Sequence, residues 1–154
     1  MTRSRPIALA AVALAALAVG AFGSAATAAP DTKARSATVK VAHSDLGKIL
    51  VDSRGRTLYM LSADRTRKST CFGACAQAWP PLRATRKPTV GTGLKASKVG
   101  TIKRSDGKPQ VTYNGHPLYR FVQDTKAGQT NGQGIVAFGG RWSVLSPAGR
   151  PISH

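Results

Sequence analysis

The sequence contains no glutamate, and its six acidic residues are all aspartates. Glutamate is a good helix former, whereas the abundant Gly, Thr and Val favour turns and strands, so the composition predicts a mainly β protein. Six aspartates and three histidines also leave few side chains that can exchange protons in a reaction. We therefore expect no catalytic residues and no enzymatic activity, with hydrolysis the least favoured function.

Long hydrophobic runs are also lacking. The one uncharged apolar stretch, residues 7–22, has about 16 residues, short of the ~20 that span a bilayer. Arg3 and Arg5 precede it, and the small residues 26–28 follow it, which predicts a general signal peptide (1–28) cleaved near Ala28. No cysteine lies near that position, so we expect a secreted, extracytoplasmic protein that is not lipid-anchored and is peripheral to the membrane at most.

Negative charge is scarce, since 23 Lys and Arg face six acidic residues and give a formal net charge of +17. An exported chain of this charge is expected to meet anionic cell-wall polymers or a small molecule. Nucleic acid is not expected, because the chain is exported and has no helix rich in Lys and Arg. The alternative is that the basic residues only keep the surface solvated.

What the chain does contain is an internal repeat. A ten-residue pattern at 55–64 recurs at 115–124, with glycine, Leu-Tyr and aspartate in register. Upstream, 46–49 resembles 99–102, and downstream Trp79 and Trp142 occupy equivalent places that suggest core anchors of the two repeats. We therefore predict two tandem antiparallel β repeats packed into one domain.

The repeats suggest a division of the mature chain. A flexible lead-in (29–45) precedes repeat 1 (46–82), a linker (83–98) precedes repeat 2 (99–149), and a short tail (150–154) follows. The stretch 57–61 is predicted to be a central strand, because both of its alternating faces are apolar. Asn114-Gly115 predicts a hairpin turn, and a second hairpin is predicted at Gly139-Gly140.

Residues 68–79 form the one predicted helical insert, with Ser69 or Thr70 capping its start and prolines ending it. Cys71, Cys75 and Trp79 then share one face of the helix. The two cysteines are the only ones in the chain, and their spacing on a helical turn suits a disulfide. The alternative is that both thiols hold copper, with Met60 or His116 as an added ligand, in a redox or copper-handling protein.

The tyrosine–aspartate pairs of the two repeats are Tyr59 with Asp64 and Tyr119 with Asp124. Each aspartate can accept hydrogen bonds from free backbone N–H groups where a strand bends, and each tyrosine hydroxyl needs a partner when buried. The first hypothesis is one structural lock in each repeat. The second is that the four side chains line a ligand site.

The segment 71–82, Cys-x3-Cys-Ala-x2-Trp-Pro-Pro-Leu, together with the two Tyr-x4-Asp motifs, resembles the secreted-repeat lipoproteins. The resemblance covers residues 46–149, nearly all of the mature chain. It implies the two-repeat fold and an extracytoplasmic location, and it carries no assigned biochemical function. We therefore expect a non-enzymatic binding module of the cell envelope without a cofactor, the copper protein being the alternative.

Overall fold

The computed structural model describes residues 38–84 and 86–153. The predicted signal peptide, its cleavage near Ala28 and the first part of the lead-in lie outside the described residues. The described part contains nine strands, one α-helix and one 3-10 turn (Ala96–Lys98). In chain order the elements are β1 (Thr38–Ser44), β2 (Gly47–Val51), β3 (Tyr59–Leu61), α1 (Ala74–Ala78), β4 (Thr89–Val90), β5 (Val99–Lys103), β6 (Pro109–Tyr113), β7 (His116–Pro117), β8 (Val136–Ala137) and β9 (Gly140–Val144).

The strands form three small sheets, in the orders β2-β1-β4, β3-β9-β8 and β5-β6-β7. The short β1–β4 pairing is parallel, and the ladders β1–β2, β3–β9, β5–β6, β6–β7 and β8–β9 are antiparallel. The prediction of a mainly β fold with one short helical insert is therefore confirmed. Within the described residues, no helix has the length and apolarity needed to cross a membrane.

Strand β3 ends its sheet but has a neighbour on each side, as its sequence predicts, because it pairs with β9 on one side and Tyr59 bridges Tyr119 on the other. Tyr59 and Leu61 point into one buried cluster, while Leu58 and Met60 point into a second cluster on the other face. Each of these four side chains is at most 8% exposed. Because side chains alternate along a strand, one short apolar segment stabilises both halves of the core.

The two repeats are equivalent in their backbone hydrogen bonds. In repeat 1 the Leu58 N–H donates to the Leu50 carbonyl, and in repeat 2 the Leu118 N–H donates to Val111. Strand β2 therefore corresponds to β6, and the sequence match of 46–49 with 99–102 is wrong. Both of those stretches lead into a four-residue turn, 52–55 and 104–107, so they look alike without occupying the same place in the fold.

The end of each repeat hydrogen-bonds to the other repeat. Leu145, at the end of repeat 2, accepts a bond from the Leu50 N–H (2.9 Å) and donates one to the Leu58 carbonyl (3.4 Å). The contacts in the opposite direction use Leu82, which accepts from Val111 (2.7 Å) and donates to Leu118 (2.8 Å). The repeats thus exchange their last segments, and neither repeat completes its own backbone hydrogen bonding.

Three boundaries differ from the sequence prediction. Strand β1 occupies 38–44, mostly within the segment expected to be a flexible lead-in, because Val39 is buried and residues 40–44 pair with β2. The predicted linker contributes β4, which pairs with β1. In the tail, the Ile152 N–H donates to Val144 at 2.9 Å. The lead-in, the linker and the tail are therefore ordered by pairing with neighbouring strands, although their composition is typical of loops.

The predicted helix at 68–79 is shorter in the structure, where α1 covers Ala74–Ala78 and follows Gly73. Ser69 and Thr70 do not cap it, because their hydroxyls bond to other side chains described below. Cys71, Cys75 and Trp79 are nevertheless all buried. The helix ends before Pro80, as predicted.

The hairpin at Asn114-Gly115 is confirmed, with Tyr113 opposite His116 and both turn residues at positive φ. The closing hairpin is present, but its turn residues are Phe138 and Gly139 rather than the two glycines. Gly140 belongs to β9, where an added Cβ would lie 2.7 Å from the backbone nitrogen of Ala63.

Candidate functional site

The two motif tyrosines meet where the repeats cross. The Tyr59 N–H donates to the Tyr119 carbonyl at 2.9 Å, and the Tyr119 N–H donates to the Tyr59 carbonyl at 3.0 Å. Both residues are fully buried. These two reciprocal hydrogen bonds join equivalent residues of the two repeats, so they lie at the centre of the repeats' symmetric arrangement.

The tyrosine–aspartate pairs are crossed between the repeats. The Tyr59 hydroxyl donates to Oδ2 of Asp124 at 2.6 Å, and the Tyr119 hydroxyl donates to Oδ2 of Asp64 at 2.7 Å. The hypothesis of one lock within each repeat is therefore wrong in its pairing. Each pair instead joins a strand of one repeat to a bend of the other.

The pair Tyr59–Asp124, here the loop lock, holds the glycine-rich loop 128–134. Oδ1 of Asp124 accepts from the Asn131 N–H at 3.0 Å, and the Tyr59 hydroxyl oxygen accepts from the Gly132 N–H at 3.2 Å. Gly132 packs so closely that an added Cβ would lie 2.5 Å from the Trp79 ring. The loop lock therefore ends in backbone amides of a tightly packed loop.

The pair Tyr119–Asp64, here the insert lock, holds the start of the helical insert. Oδ1 of Asp64 accepts from the N–H and the hydroxyl of Thr70, at 2.7 and 2.9 Å. The Tyr119 oxygen lies 2.7 Å from the Ser69 hydroxyl. Because the one phenolic proton of Tyr119 is directed at Asp64, Ser69 is the donor in this contact.

The insert lock continues into a buried arginine that the sequence analysis did not identify. Nη1 of Arg104 donates to the Ser69 hydroxyl at 2.7 Å and to Oε1 of Gln110 at 2.6 Å, and Nη2 donates to the Cys71 carbonyl. A directed chain thus runs from Arg104 through Ser69 and Tyr119 to Asp64, and each bond polarises the next.

The guanidinium of Arg104 is buried and, among the described residues, makes one ion pair, with Asp106. Its side chain is 1% exposed, and its Nε lies 3.5 Å from the half-exposed carboxylate of Asp106. The Phe72 ring covers it, with the guanidinium carbon 4.4 Å from the ring centroid. A buried cation held in this way projects positive potential towards the surface nearby.

Burial sets the protonation of both locks. Desolvation, together with the facing carboxylate, raises the pKa of Tyr59 and of Tyr119 well above the usual range, so both phenols stay protonated. Desolvation also raises the pKa of Asp64 and of Asp124, against the lowering effect of the hydrogen bonds they accept. The four groups are suited to fixed hydrogen bonding.

The two tryptophans stack on each other at the centre of the core. Their ring centroids lie 3.9 Å apart with an interplanar angle of 1°, and Phe121 stacks on the other face of Trp79 at 4.1 Å. Tyr59 meets Trp79 edge-on at 5.2 Å, and Tyr119 meets Trp142 edge-on at 5.1 Å. The rings thus repeat the symmetry of the backbone, and both tryptophans are buried.

Cys71 and Cys75 form the predicted disulfide. The other side chains considered as copper ligands are not gathered with them, since Met60 lies in the core cluster on the opposite face of β3. His116 is half-buried near Asp64, and burial lowers its pKa while the carboxylate opposes that effect. Within 38–84 and 86–153, no three His, Cys, Asp or Glu side chains come together as a metal cluster.

A basic cleft of about 440 Å³ opens beside the insert lock, between the helical insert and the β5–β6 hairpin. Its seven lining residues include no carboxylate: Arg67, Lys68, Ser69, Phe72, Lys103, Arg104 and Ser105. The cations come from two separate segments, so no single basic run in the sequence marks the cleft. The hydrogen bonds from Arg104 to Ser69 and to the Cys71 carbonyl join these segments, and neither motif aspartate lines the cleft.

A second recess, of about 450 Å³, lies on the outer face of β3 and β9. Its lining combines apolar side chains with Arg141 and short polar groups: Met60, Ser62, Gln133, Arg141, Ser143, Pro151, Ile152 and Ser153. This recess has one cation where the basic cleft has four, so the two sites suit different partners.

Comparison with known proteins agrees with the duplicated structure. One family model, described as a secreted repeat of unknown function, matches the chain twice, at residues 40–83 and 100–146. No curated protein and no solved structure matches the chain. The first match begins within β1 and the second within β5, which agrees with the equivalence of the β1–β2 and β5–β6 hairpins. The chain therefore belongs to the family of secreted repeats of unknown function.

Proposed function

We propose that this protein is a non-enzymatic binding module of the cell envelope, which captures an anionic polymer in the basic cleft. The family is secreted, so the partner is extracytoplasmic.

We further propose that the chain is cleaved after Ala28 and carries no lipid. A mass corresponding to a bare chain from Ala29, two hydrogens lighter before reduction, supports this part; an added lipid mass contradicts it.

The observation that carries the proposal is the concentration of four cations around one cleft without a lining carboxylate. Lys68 and Lys103 are exposed and can follow the negative groups of a flexible polymer, while Arg104 is fixed by its hydrogen bonds. Phe72, 37% exposed, adds an apolar surface beside the charges. Clefts lined by charge of one sign concentrate ligands of the opposite sign.

The hydrogen bonding of the cleft favours binding over catalysis. Ser69 is the lining residue that could be considered as a nucleophile. Its hydroxyl, however, donates to Tyr119 and accepts from Arg104. A serine nucleophile requires a general base that takes its proton, and Tyr119 already directs its own proton at Asp64. The cleft is therefore better suited to hold an anion than to transform it.

The test is binding of inorganic polyphosphate to the mature protein at two salt concentrations. Lys68→Gln with Lys103→Gln removes two charges from the cleft, and Lys95→Gln with Lys126→Gln removes two exposed charges elsewhere. We expect the cleft pair to weaken binding about tenfold and the control pair to change it much less, because partly screened charge pairs each contribute up to ~1 kcal/mol. Equal losses in the two double variants would mean that only net charge matters, and no binding by the wild type would refute the proposal.

The disulfide supplies a second discrimination. Cys71→Ser with Cys75→Ser is expected to lower the melting temperature and to leave polyphosphate affinity within about twofold, because the cysteine side chains do not line the cleft. A protein that retains its stability but loses binding would instead place the cysteines in the functional site.

A further inference from the structure

The hairpin β8–β9 carries apolar side chains on its outer face. Ile135 and Ala137 pack against the core, whereas Val136 and Phe138 point the other way and are 70% and 47% exposed. Among the described residues, only Phe72 and Val122 are other large hydrophobic side chains with comparable exposure. The hairpin tip therefore concentrates apolar surface that contributes nothing to the core.

The turn of this hairpin is made with an unfavourable residue. Phe138 and Gly139 have φ of 54° and 82°, and Asn114 and Gly115, in the two-residue turn between β6 and β7, have nearly the same values, 52° and 82°. Positive φ in the first of two such turn residues favours Asn, Asp or Gly, and it strains a bulky side chain. Phe138 thus occupies a place where asparagine would fold better, and burial does not compensate for it.

The charge beside the tip is positive. Arg141 pairs with Val136 across the hairpin, so the two side chains project from the same face. Arg141 also lines the recess on that face, with Met60 and Ile152 as apolar neighbours. The face therefore combines two exposed apolar side chains at its end, a cation behind them and an apolar recess further along.

This combination matches the surface of an anionic bilayer. Side chains that bind at the bilayer interface place aromatic and aliphatic groups at the acyl boundary and cations at the head groups. A protein partner of ordinary size needs about 800 Å² from each side, far more than a hairpin tip offers. The scarcity of negative charge in the chain, with six acidic residues against 23 basic ones, favours a negatively charged surface.

We propose that the β8–β9 hairpin docks the protein reversibly on anionic lipid, with Phe138 and Val136 inserted at the acyl boundary and Arg141 against a lipid phosphate. The proposal goes beyond polymer binding in the basic cleft and uses other residues. Lipid docking and polymer capture can therefore fail independently of each other.

The experiment is co-sedimentation of the mature protein with vesicles of phosphatidylglycerol and phosphatidylcholine, and with phosphatidylcholine alone. We expect binding to the anionic vesicles, weakened by salt, and at least tenfold weaker binding to the neutral ones. Phe138→Asn is expected to reduce binding about tenfold. Val136→Thr, which keeps a β-branched side chain in the strand, is expected to give a smaller loss, and Val122→Thr is the matched control at an exposed valine elsewhere.

The thermal stability of Phe138→Asn separates a docking role from a structural one. Because asparagine relieves the strained turn, the variant is expected to melt at a higher temperature than the wild type while binding vesicles less well. A lower melting temperature would make Phe138 a structural residue and overturn the proposal.

Two further outcomes would also overturn it. Unchanged vesicle binding by Phe138→Asn would remove the tip from the interface. Wild-type dimers in the absence of lipid that dissociate on the same substitution would assign the tip to a contact between copies of this chain.

Discussion

The loop lock and the insert lock contain the same two residue types in the same crossed arrangement, yet they end differently. The loop lock passes from Asp124 and Tyr59 to backbone amides of Asn131 and Gly132, where it stops. The insert lock passes through Ser69 to a buried arginine beside an open cleft. One copy of the duplicated lock ends in backbone, and the other ends in a buried cation that borders the cleft.

The difference follows from what each repeat places after its aspartate. Repeat 1 inserts 68–79, which contains the hydroxyl residues Ser69 and Thr70, the disulfide and the helix; repeat 2 has the glycine-rich loop. The hydroxyl of Ser69 can both donate and accept, so it extends the hydrogen-bond chain, whereas a backbone N–H can only donate. Two repeats that share a symmetric core can therefore differ at the surface, and one repeat can carry a cleft that the other lacks.

Arg104→Met should have the largest effect on the difference between the insert lock and the loop lock. It removes the end of the insert lock while leaving the loop lock intact, and it leaves the Cys71 carbonyl and Gln110 short of a donor. We expect the free energy of unfolding to fall by about 3 kcal/mol, as when one partner of a buried charged network is removed. Denaturant unfolding measures this, and a loss below about 0.5 kcal/mol would contradict the importance of the chain of bonds.

Replacement of the aspartates compares the locks directly. Asp64→Ala and Asp124→Ala should each cost about 2 kcal/mol, because each leaves a buried phenol without an acceptor. Asn should cost less than Ala at both positions, since the amide oxygen still accepts. Asp64→Ala should also weaken polyphosphate binding through the displaced insert, and Asp124→Ala should not. Equal melting temperatures for wild type, Ala and Asn at either position would remove the structural role of that lock.

The dependence of stability on pH is the smallest expected effect. Desolvation raises the pKa of Asp64 and Asp124 in the folded state, so the folded protein holds these protons more tightly than the unfolded chain. Their contribution is fully present below the unfolded pKa, about 3.9, and is lost as the pH rises through the folded pKa. Relative to Asp64→Asn with Asp124→Asn, the wild type should gain stability as the pH falls through this window.

Thermal melts of the wild type and the double Asn variant between about pH 7 and pH 3 test this sign. The difference between the two proteins isolates the lock aspartates, because Asp106, whose pKa is lowered by the hydrogen bond from Lys108, is present in both. A wild type that loses stability relative to the Asn variant on acidification would reverse the assignment.

Local features were predictable from the sequence. The alternation at 58–61 gave a strand buried on both faces, and Asn114-Gly115 gave the hairpin, because both depend on neighbouring residues and on fixed backbone periods. The pattern of the repeats also gave a duplicated mainly β fold. Helix 68–79 was too long because Ser69 and Thr70 bond to distant partners instead of capping it.

The crossing of the locks was not predictable in the same way. Tyr59 is five positions from Asp64 and 65 from Asp124, and nothing in the spacing says that the distant aspartate is the partner. Arg104 gave no signal either, since an arginine in a turn is ordinarily exposed, and its burial depends on Ser69 and Phe72 from the other repeat. Both the crossed pairing and the burial of Arg104 depend on contacts between the two repeats, which the spacing of residues within one repeat does not reveal.

The crossed pairing itself is tested most directly by two double-mutant cycles on the free energy of unfolding. The first combines Tyr59→Phe with Asp124→Ala, and the second combines Tyr59→Phe with Asp64→Ala, because alanine removes the acceptor that asparagine would keep. We predict a coupling energy of about 1 kcal/mol in the first cycle and about zero in the second, because only the first pair shares a hydrogen bond. Coupling of Tyr59 to Asp64, with none to Asp124, would show that each lock closes within its own repeat and would contradict the interlocked arrangement.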